Sequence, residues 1–319
     1  MTIGIVCCGP NAGLACFRAL VAVEAVATGA IGGIVAFAAI EGASRLHRAE
    51  TQRGGSRTLF LSGEQTGVPP PERVAGSPLA GLISSGPDRP GPLSQFLAAD
   101  PGVGIVSGHR LPNGPGADGT AHNLSALNAM RGGATPKAAI TTHLDAHTEA
   151  DVGLIAADLS GRLHAANTAR VARRPDLGAA RCHDAQAGAA VAVLHNALGP
   201  GPSLAFLAAE TAMAVMVPAA PDASFCAAAG TPLALGPAPA VEIDAAGTAR
   251  RIITTDASLL APRANGAAIY LGASVRRDGQ VLGHVTEEPN CQLADGHIAA
   301  LSGQEELAIG YRTSCRGKP

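Results

Sequence analysis

The sequence predicts an α+β chain, or an α/β one, made of repeated strand–helix–β-hairpin units whose sheets are covered by Ala-rich helices. Three observations carry that expectation. First, residues 35–53 (VAFAAIEGASRLHRAETQR) align without a gap on residues 152–170 (VGLIAADLSGRLHAANTAR). Arg45, Leu46, His47, Ala49, Thr51 and Arg53 stand over Arg162, Leu163, His164, Ala166, Thr168 and Arg170, in a chain with only ten histidines. Such self-similarity marks a copied structural unit. Second, short apolar runs closed by Gly, Pro or Asn alternate with Ala-rich stretches of helical spacing. Third, 47% of residues are hydrophobic yet there is no Trp, with two Tyr, six Phe and forty Gly, so the chain must pack by close backbone approach.

The elements follow in order. Residues 2–8 read as a buried strand closed by Gly9-Pro10-Asn11. Residues 14–27 carry apolar side chains at helical spacing, with Arg18 and Glu24 outward and Gly29 as C-cap. Gly32-Gly33 lead into a hairpin formed by the strand from Val35 and its partner at 45–53. Residues 62–102 are rich in Pro and Gly and read as a loop or lid, with apolar patches at 79–83 and 96–98 to dock it. Another strand, 103–106, precedes a Gly/Pro loop bearing His109, Arg110, Asp118 and His122, and Asn123 caps a helix to about Met130. Residues 141–151 (TTHLDAHTEAD) read as a polar loop feeding a hairpin that turns at Asp158-Leu159-Ser160-Gly161. Gly199-Pro200 before Leu204-Ala205 echoes Gly9-Pro10 before Leu14-Ala15. Ser203 then caps a helix to Met216, and residues 241–256 read as a third hairpin. Residues 267–311 read as further strands, with a tight turn at Arg277-Asp278-Gly279-Gln280. The expected organisation is one compact domain, with units at about 1–61, 103–174 and 187–256 and C-terminal strands at 257–319.

Composition excludes several functions. The formal charge is −2, from 23 basic and 25 acidic residues without a long run of one sign, which argues against nucleic acid or an anionic membrane as partner. Seven cysteines, at 7, 8, 16, 182, 226, 291 and 315, are an odd, irregularly spaced set that suits reduced thiols. The longest uncharged run near the N-terminus, 25–40, is sixteen residues and too short to span a bilayer comfortably. No Gly-x-Gly-x-x-Gly follows a strand, and no phosphate-loop motif occurs. The expectation is a cytoplasmic protein acting on a small molecule without a cofactor, with small-residue helices suited to a homo-oligomer.

The chemistry concentrates in residues 141–151, where two histidines, three threonines and three carboxylates crowd together. One reading is nucleophilic: a Thr at the start of a strand can use its own freed amine as base. Residues 152–168 resemble the strand–turn–strand of the asparaginase and glycosylasparaginase branch of the N-terminal-nucleophile (Ntn) hydrolase superfamily. Thr141-Thr142-His143-Leu144 is similar to the start of the γ-glutamyltransferase small subunit. The resemblance covers about thirty residues and departs from both patterns. Asp151 stands at the asparaginase nucleophile position, and residues 145–151 separate the Thr-Thr-His from the strand. It implies Ntn-like layered sheets and a hydrolase of an amide or related C–N bond in a small polar molecule. Thr142 is the first candidate nucleophile, and Thr2 the second, N-terminal once Met1 is removed. His143 or His147 would act as base, and amides of the turns at 9–13 and 108–119 would stabilise the oxyanion. Arg53 or Arg170 would hold a substrate carboxylate, with Asn11 and His109 as further substrate contacts.

Two alternatives stand beside it. His143, Asp145 and His147 occupy alternate positions and in an extended segment would project to one side as ligands of a divalent metal. Residues 145–149 also resemble the Asp-Ala-His-x-Asp manganese motif of the ureohydrolases, whose other motifs have no counterpart here. The last alternative is a non-catalytic structural or assembly protein, in which these side chains satisfy backbone groups.

Overall fold

The computed structural model describes residues 1–42, 44–86, 89–217, 221 and 223–313; Cys315 lies outside them. The chain is α+β and divides into two compact units, residues 1–218 and 219–319, where the sequence suggested one domain. The reason lies in the cores. Three clusters of buried apolar residues fall wholly within residues 3–216, and a fourth within 225–311. The third expected repeat unit, 187–256, straddles the division.

The first unit runs β1 (Thr2–Cys8), α1 (Ala12–Val26), β2 (Val35–Glu41), β3 (Arg45–Thr51), α2 (Ser56–Leu59), α3 (Glu72–Ala75), β4 (Leu79–Ser85), β5 (Ala98–Asp100) and β6 (Gly104–Arg110). It continues with α4 (His122–Arg131), α5 (Pro136–Ala146), β7 (Val152–Asp158), β8 (Leu163–Asn167), α6 (Ala169–Ala172), β9 (Leu177–Asp184), β10 (Ala189–Asn196) and α7 (Ser203–Met216). The strands form a six-stranded sheet, β3-β2-β4-β1-β10-β9, and a four-stranded sheet, β5-β6-β7-β8. Every pairing in both sheets is antiparallel.

The side-chain alternation of β1 sets the layers. Ile3, Ile5 and Cys7 pack with Phe17 and Leu20 of α1 and with Leu204, Ala208 and Ala212 of α7. Val6 and Cys8, on the other face, pack with Ile105, Ile155, Ala157 and Leu163 of the four-stranded sheet. The far side of that sheet, with Val106, Leu154 and Ala156, is covered by Leu127 of α4 and by Ile140 and Leu144 of α5. Within this unit the order is therefore helix pair, sheet, sheet, helix pair. Small residues make the contacts close: α1 buries Ala12, Ala15 and Ala19, and α7 buries Ala205, Ala208, Ala209 and Ala212. Gly4 brings the sheets together, since a Cβ there would strike the Gly108 carbonyl.

Several expectations need correction. The stretch at 62–102 is no simple lid, because β4 lies within it, between β2 and β1, with all seven residues buried. The run Leu79-Ala80-Gly81-Leu82-Ile83 is buried on both faces and so lacks the alternation that announces a half-exposed strand. Helix α1 is C-capped at Ala27 rather than Gly29. The ungapped copies at 35–53 and 152–170 both fold as hairpins, β2–β3 and β7–β8, one at an edge of each sheet.

The second unit is all strand among its described residues, apart from a 3-10 turn at Ala257–Leu260. It runs β11 (Ala223–Ala228), β12 (Leu233–Leu235), β13 (Ala240–Ile243), β14 (Ala249–Thr254), β15 (Arg263–Gly266), β16 (Ser274–Arg277), β17 (Gln280–Val285), β18 (Cys291–Ala294), β19 (His297–Leu301) and β20 (Glu306–Thr313). A seven-stranded sheet, β11-β20-β17-β16-β13-β14-β12, and a three-stranded one, β15-β18-β19, enclose Phe225, Val241, Ile252 and Val275. The β16–β17 hairpin turns on Asp278 and Gly279, with φ 51° and 80°, the left-handed pair of a type I′ turn. No described helix is long and apolar enough to cross a membrane.

Candidate functional site

Strand β1 enters its sheet at Thr2, opposite Ser85 of β4 and Asn196 of β10. Strand alternation sends Thr2 into the inter-sheet layer, in the row of Val6 and Cys8. The same parity brings Ser85, Asn196, His109 of β6 and Asn167 of β8 to that layer, in line with Ile83, Leu194, Ile105 and Leu163. Five polar side chains thus converge at one end of an otherwise apolar interface. Thr2 is 7% exposed, and His109 and Asn196 are wholly buried.

These groups are incompletely paired. His109 Nε2 lies 2.7 Å from Asn167 Oδ1, so Nε2–H donates to the amide oxygen and Nδ1 keeps its lone pair. Neither His109 Nδ1 nor either end of the Asn196 amide has a hydrogen-bond partner. Asn196 stands close enough to the ring to favour its protonation, but without the alignment of a full bond. Burial dominates and pushes the His109 pKa down to about 4, leaving a neutral imidazole. Each unpaired buried group costs about 1–3 kcal/mol, and folded proteins keep few of them.

Cations surround the chain start. The Ser85 hydroxyl donates to the Met1 carbonyl at 2.6 Å and accepts from Arg89 at 3.1 Å. Burial, then the charges of Arg110, Arg89 and Arg174, lower the pKa of the Met1 amine. Arg110 is held in a fork by Asp151 at 2.9 and 2.5 Å, and Arg174 by Asp176 at 2.9 and 2.6 Å. Arg110 foremost, with Arg170 and Arg174 farther off, holds the Asp151 carboxyl below its ordinary range.

The stretch at 141–151 is not a loop through most of its length. Helix α5 runs to Ala146, N-capped by Thr135, whose hydroxyl accepts from the Ala138 amide, with Pro136 in the first turn. Thr142 is therefore exposed on a helix. Helical geometry also breaks up the expected trio: His143 and His147, four residues apart, share a face, while Asp145 is exposed and turned away from it. Their neighbour is His122, the first residue of α4. Its Nδ1 lies 2.9 Å from His143 Nε2, and the three rings stand 4.4 to 5.2 Å apart between centroids. His147 Nδ1 is 2.8 Å from the His143 carbonyl, and its Nε2 receives the Ala117 amide at 3.3 Å. A cleft of about 430 Å³ opens beside His122 and His147. Burial, then the neighbouring rings, lower the pKa of His122 and bring that of His143 to about 4.

The remaining candidates are dispersed. Asn11, left-handed at φ 55° and exposed, sits with the turn at 9–13 beyond Cys8, a full strand away from Thr2. Arg53 is exposed in the turn after β3, and Arg170 donates to the Glu149 carbonyl at 3.1 Å. The turn at 108–119 does meet α5, through Ala117 and His147. A cleft of about 640 Å³ lies at the Cys8 end of the sheets, lined by Ser160, Arg162, Arg181 and His183 among others. Size favours it and chemistry does not, since its lining residues Ser160 and Arg162 are engaged with Asp158.

Sequence reasoning missed Ser85, Asn167, Asn196 and the arginines at 89 and 174. One signal was available: apolar runs that end in polar pairs, Ser84-Ser85 and His195-Asn196. A protein-family model described as a domain of unknown function (DUF6963) matches residues 2–225, and a second, also a domain of unknown function (DUF7259), matches residues 230–306. No curated protein and no solved structure matches the chain.

Proposed function

We propose that this chain, which belongs to the DUF6963 family, hydrolyses an amide or related C–N bond in a small polar molecule, with Thr2 as nucleophile once the Met1–Thr2 bond is cut. The observation that carries this reading is Thr2 itself. It opens a central strand and directs its side chain between two sheets, into a buried group with Ser85, His109 and Asn196. The layered sheets under Ala-rich helices, which the Ntn resemblance implies, support it. Thr142, exposed on α5, gives way to Thr2.

Loss of Met1 exposes the Thr2 amine and releases the Ser85 hydroxyl from the Met1 carbonyl. Burial and the same arginines that lower the Met1 amine pKa favour the neutral, basic form of the new amine. It takes the proton from Oγ1, which attacks the substrate carbonyl carbon. The C–N bond breaks, the leaving nitrogen takes the proton, and water hydrolyses the resulting ester by the same route. The unpaired Asn196 amide N–H is available to the developing oxyanion. Arg89, which donates to the Ser85 hydroxyl, favours a substrate with an anionic group.

The test uses chain that intact mass shows to lack Met1, assayed against a panel of small carboxylate-bearing amides. Hydrolysis by the processed chain, lost in processed Thr2→Ala and kept in Thr2→Ser, is expected. Full activity in Thr2→Ala, or in chain retaining Met1, sinks the reading.

A further inference from the structure

We infer a separate site in the same unit: a transition-metal centre held by His122, His143 and His147, with one coordination position open to the adjoining cleft. It is independent of the Thr2 reading, involving other elements and other side chains.

Four observations converge. Helical spacing puts His143 and His147 on one face of α5, and His122 arrives from the first turn of α4, so two rigid elements fix the donors. One ring nitrogen from each residue lies within 4.8 Å of the other two. Nitrogens 2.0–2.1 Å from a tetrahedral ion stand about 3.3 Å apart, so the 2.9 Å between His122 Nδ1 and His143 Nε2 is already near that spacing. Small ring rotations complete the set.

The tautomer of His147 is also prepared. Its Nδ1 donates to the His143 carbonyl at 2.8 Å, which fixes the tautomer and leaves the Nε2 lone pair as the donor to a metal. Metal-binding histidines are oriented by such outer hydrogen bonds. The Ala117 amide at 3.3 Å is a long contact that an ion would displace. Finally, His143 lies in the last turn of α5 and His147 is its C-cap, where exposed carbonyls favour a cation.

The donor set names the class of ion. Three neutral imidazoles without a carboxylate suit zinc, cobalt, nickel or copper, and are a poor match for magnesium or calcium. Three protein ligands beside a cleft of about 430 Å³ leave room for water or a small anion as fourth ligand, the pattern of an exchangeable site.

The experiment titrates chelator-stripped full chain with Co²⁺ and with Zn²⁺. One equivalent of each per chain is expected, with intense visible Co²⁺ absorption typical of low coordination that shifts when azide is added. Zn²⁺ should raise the melting temperature of the wild type and of Asp145→Asn. A His143→Ala/His147→Ala chain should bind at least about 100-fold more weakly. The weak spectrum of hexaaquo cobalt with the wild type overturns the site without recourse to any variant. Stoichiometric binding that survives in the double variant overturns it equally, and an azide-insensitive spectrum refutes the open position.

Discussion

The two ends of the inter-sheet layer make opposite use of similar backbone. At the Cys8 end the strands give way to turns that frame a cleft of about 640 Å³, and Asp158 is satisfied by its own hairpin turn. At the Thr2 end the sheets close to backbone contact at Gly4 and Gly108, yet His109 and Asn196 remain buried with unpaired atoms. Volume and chemistry have separated. A roomy cleft framed by satisfied turns costs the fold little and reports little. Orphaned polar groups in a packed layer are destabilising, and their retention points to a task.

The comparison can be broken in steps. Processed Thr2→Ala should lose about three orders of magnitude or more in kcat/KM, measured on whichever amide the processed wild type hydrolyses; a smaller loss would reduce the Thr2 end to packing. The next effect concerns pH. The folded-state pKa of His109, about 4, lies below the ordinary 6.5, so in that interval the unfolded chain binds a proton that the native chain refuses. Stability supplied by the neutral ring is full above about pH 6.5 and falls as pH drops toward 4, at up to about 1.4 kcal/mol per pH unit. Urea unfolding across that range should show a steeper acid loss for wild type than for His109→Gln, and equal slopes would mean that water reaches the ring.

Asn196→Leu exchanges an unpaired amide for a group of similar size. It should leave stability unchanged or raise it by about 1 kcal/mol while hydrolysis falls about 100-fold or more. A large destabilisation with activity intact would make Asn196 a structural residue. The smallest effect belongs to the other end: His183→Ala, in the large cleft, should change activity by less than about twofold, within the range of ordinary surface substitutions. A greater change would move the chemistry to that cleft.

Local patterns wrote much of this fold legibly. The hairpin turning at Asp158 to Gly161, the Asp278-Gly279 turn and the helix over Ser203–Met216 are visible in the sequence because turn chemistry and short-range periodicity fix them, although Ser203 is the first helical residue and Pro202 the cap. Two elements were hidden for physical reasons. The sequence of β4 is buried on both faces and set among prolines, so it shows no alternation. The C-terminal half of α5 carries Thr, His and Asp, all modest helix formers, and its true signal lay upstream in Thr135-Pro136 with Ala139, Ile140 and Leu144 behind. Thr2, His109, His143 and His147 were legible as chemistry. That His122 joins the α5 histidines, and that Ser85 and Asn196 join Thr2, was not legible, because contacts across sheets or between helices leave no mark in spacing.

Met1 sets a race. Its sulfur accepts the Ala30 amide at 3.1 Å and its carbonyl accepts the Ser85 hydroxyl at 2.6 Å, so in the folded chain the bond before Thr2 is guarded on both sides. Both contacts must break before an aminopeptidase can draw that bond out of the folded chain, whereas a nascent, extended segment offers it freely. On the Thr2 reading, a chain that folds first stays unprocessed and inactive, and one trimmed first is competent. The active fraction would then follow the order of these two events, and an extension fused ahead of Thr2 should give a folded protein without hydrolase activity.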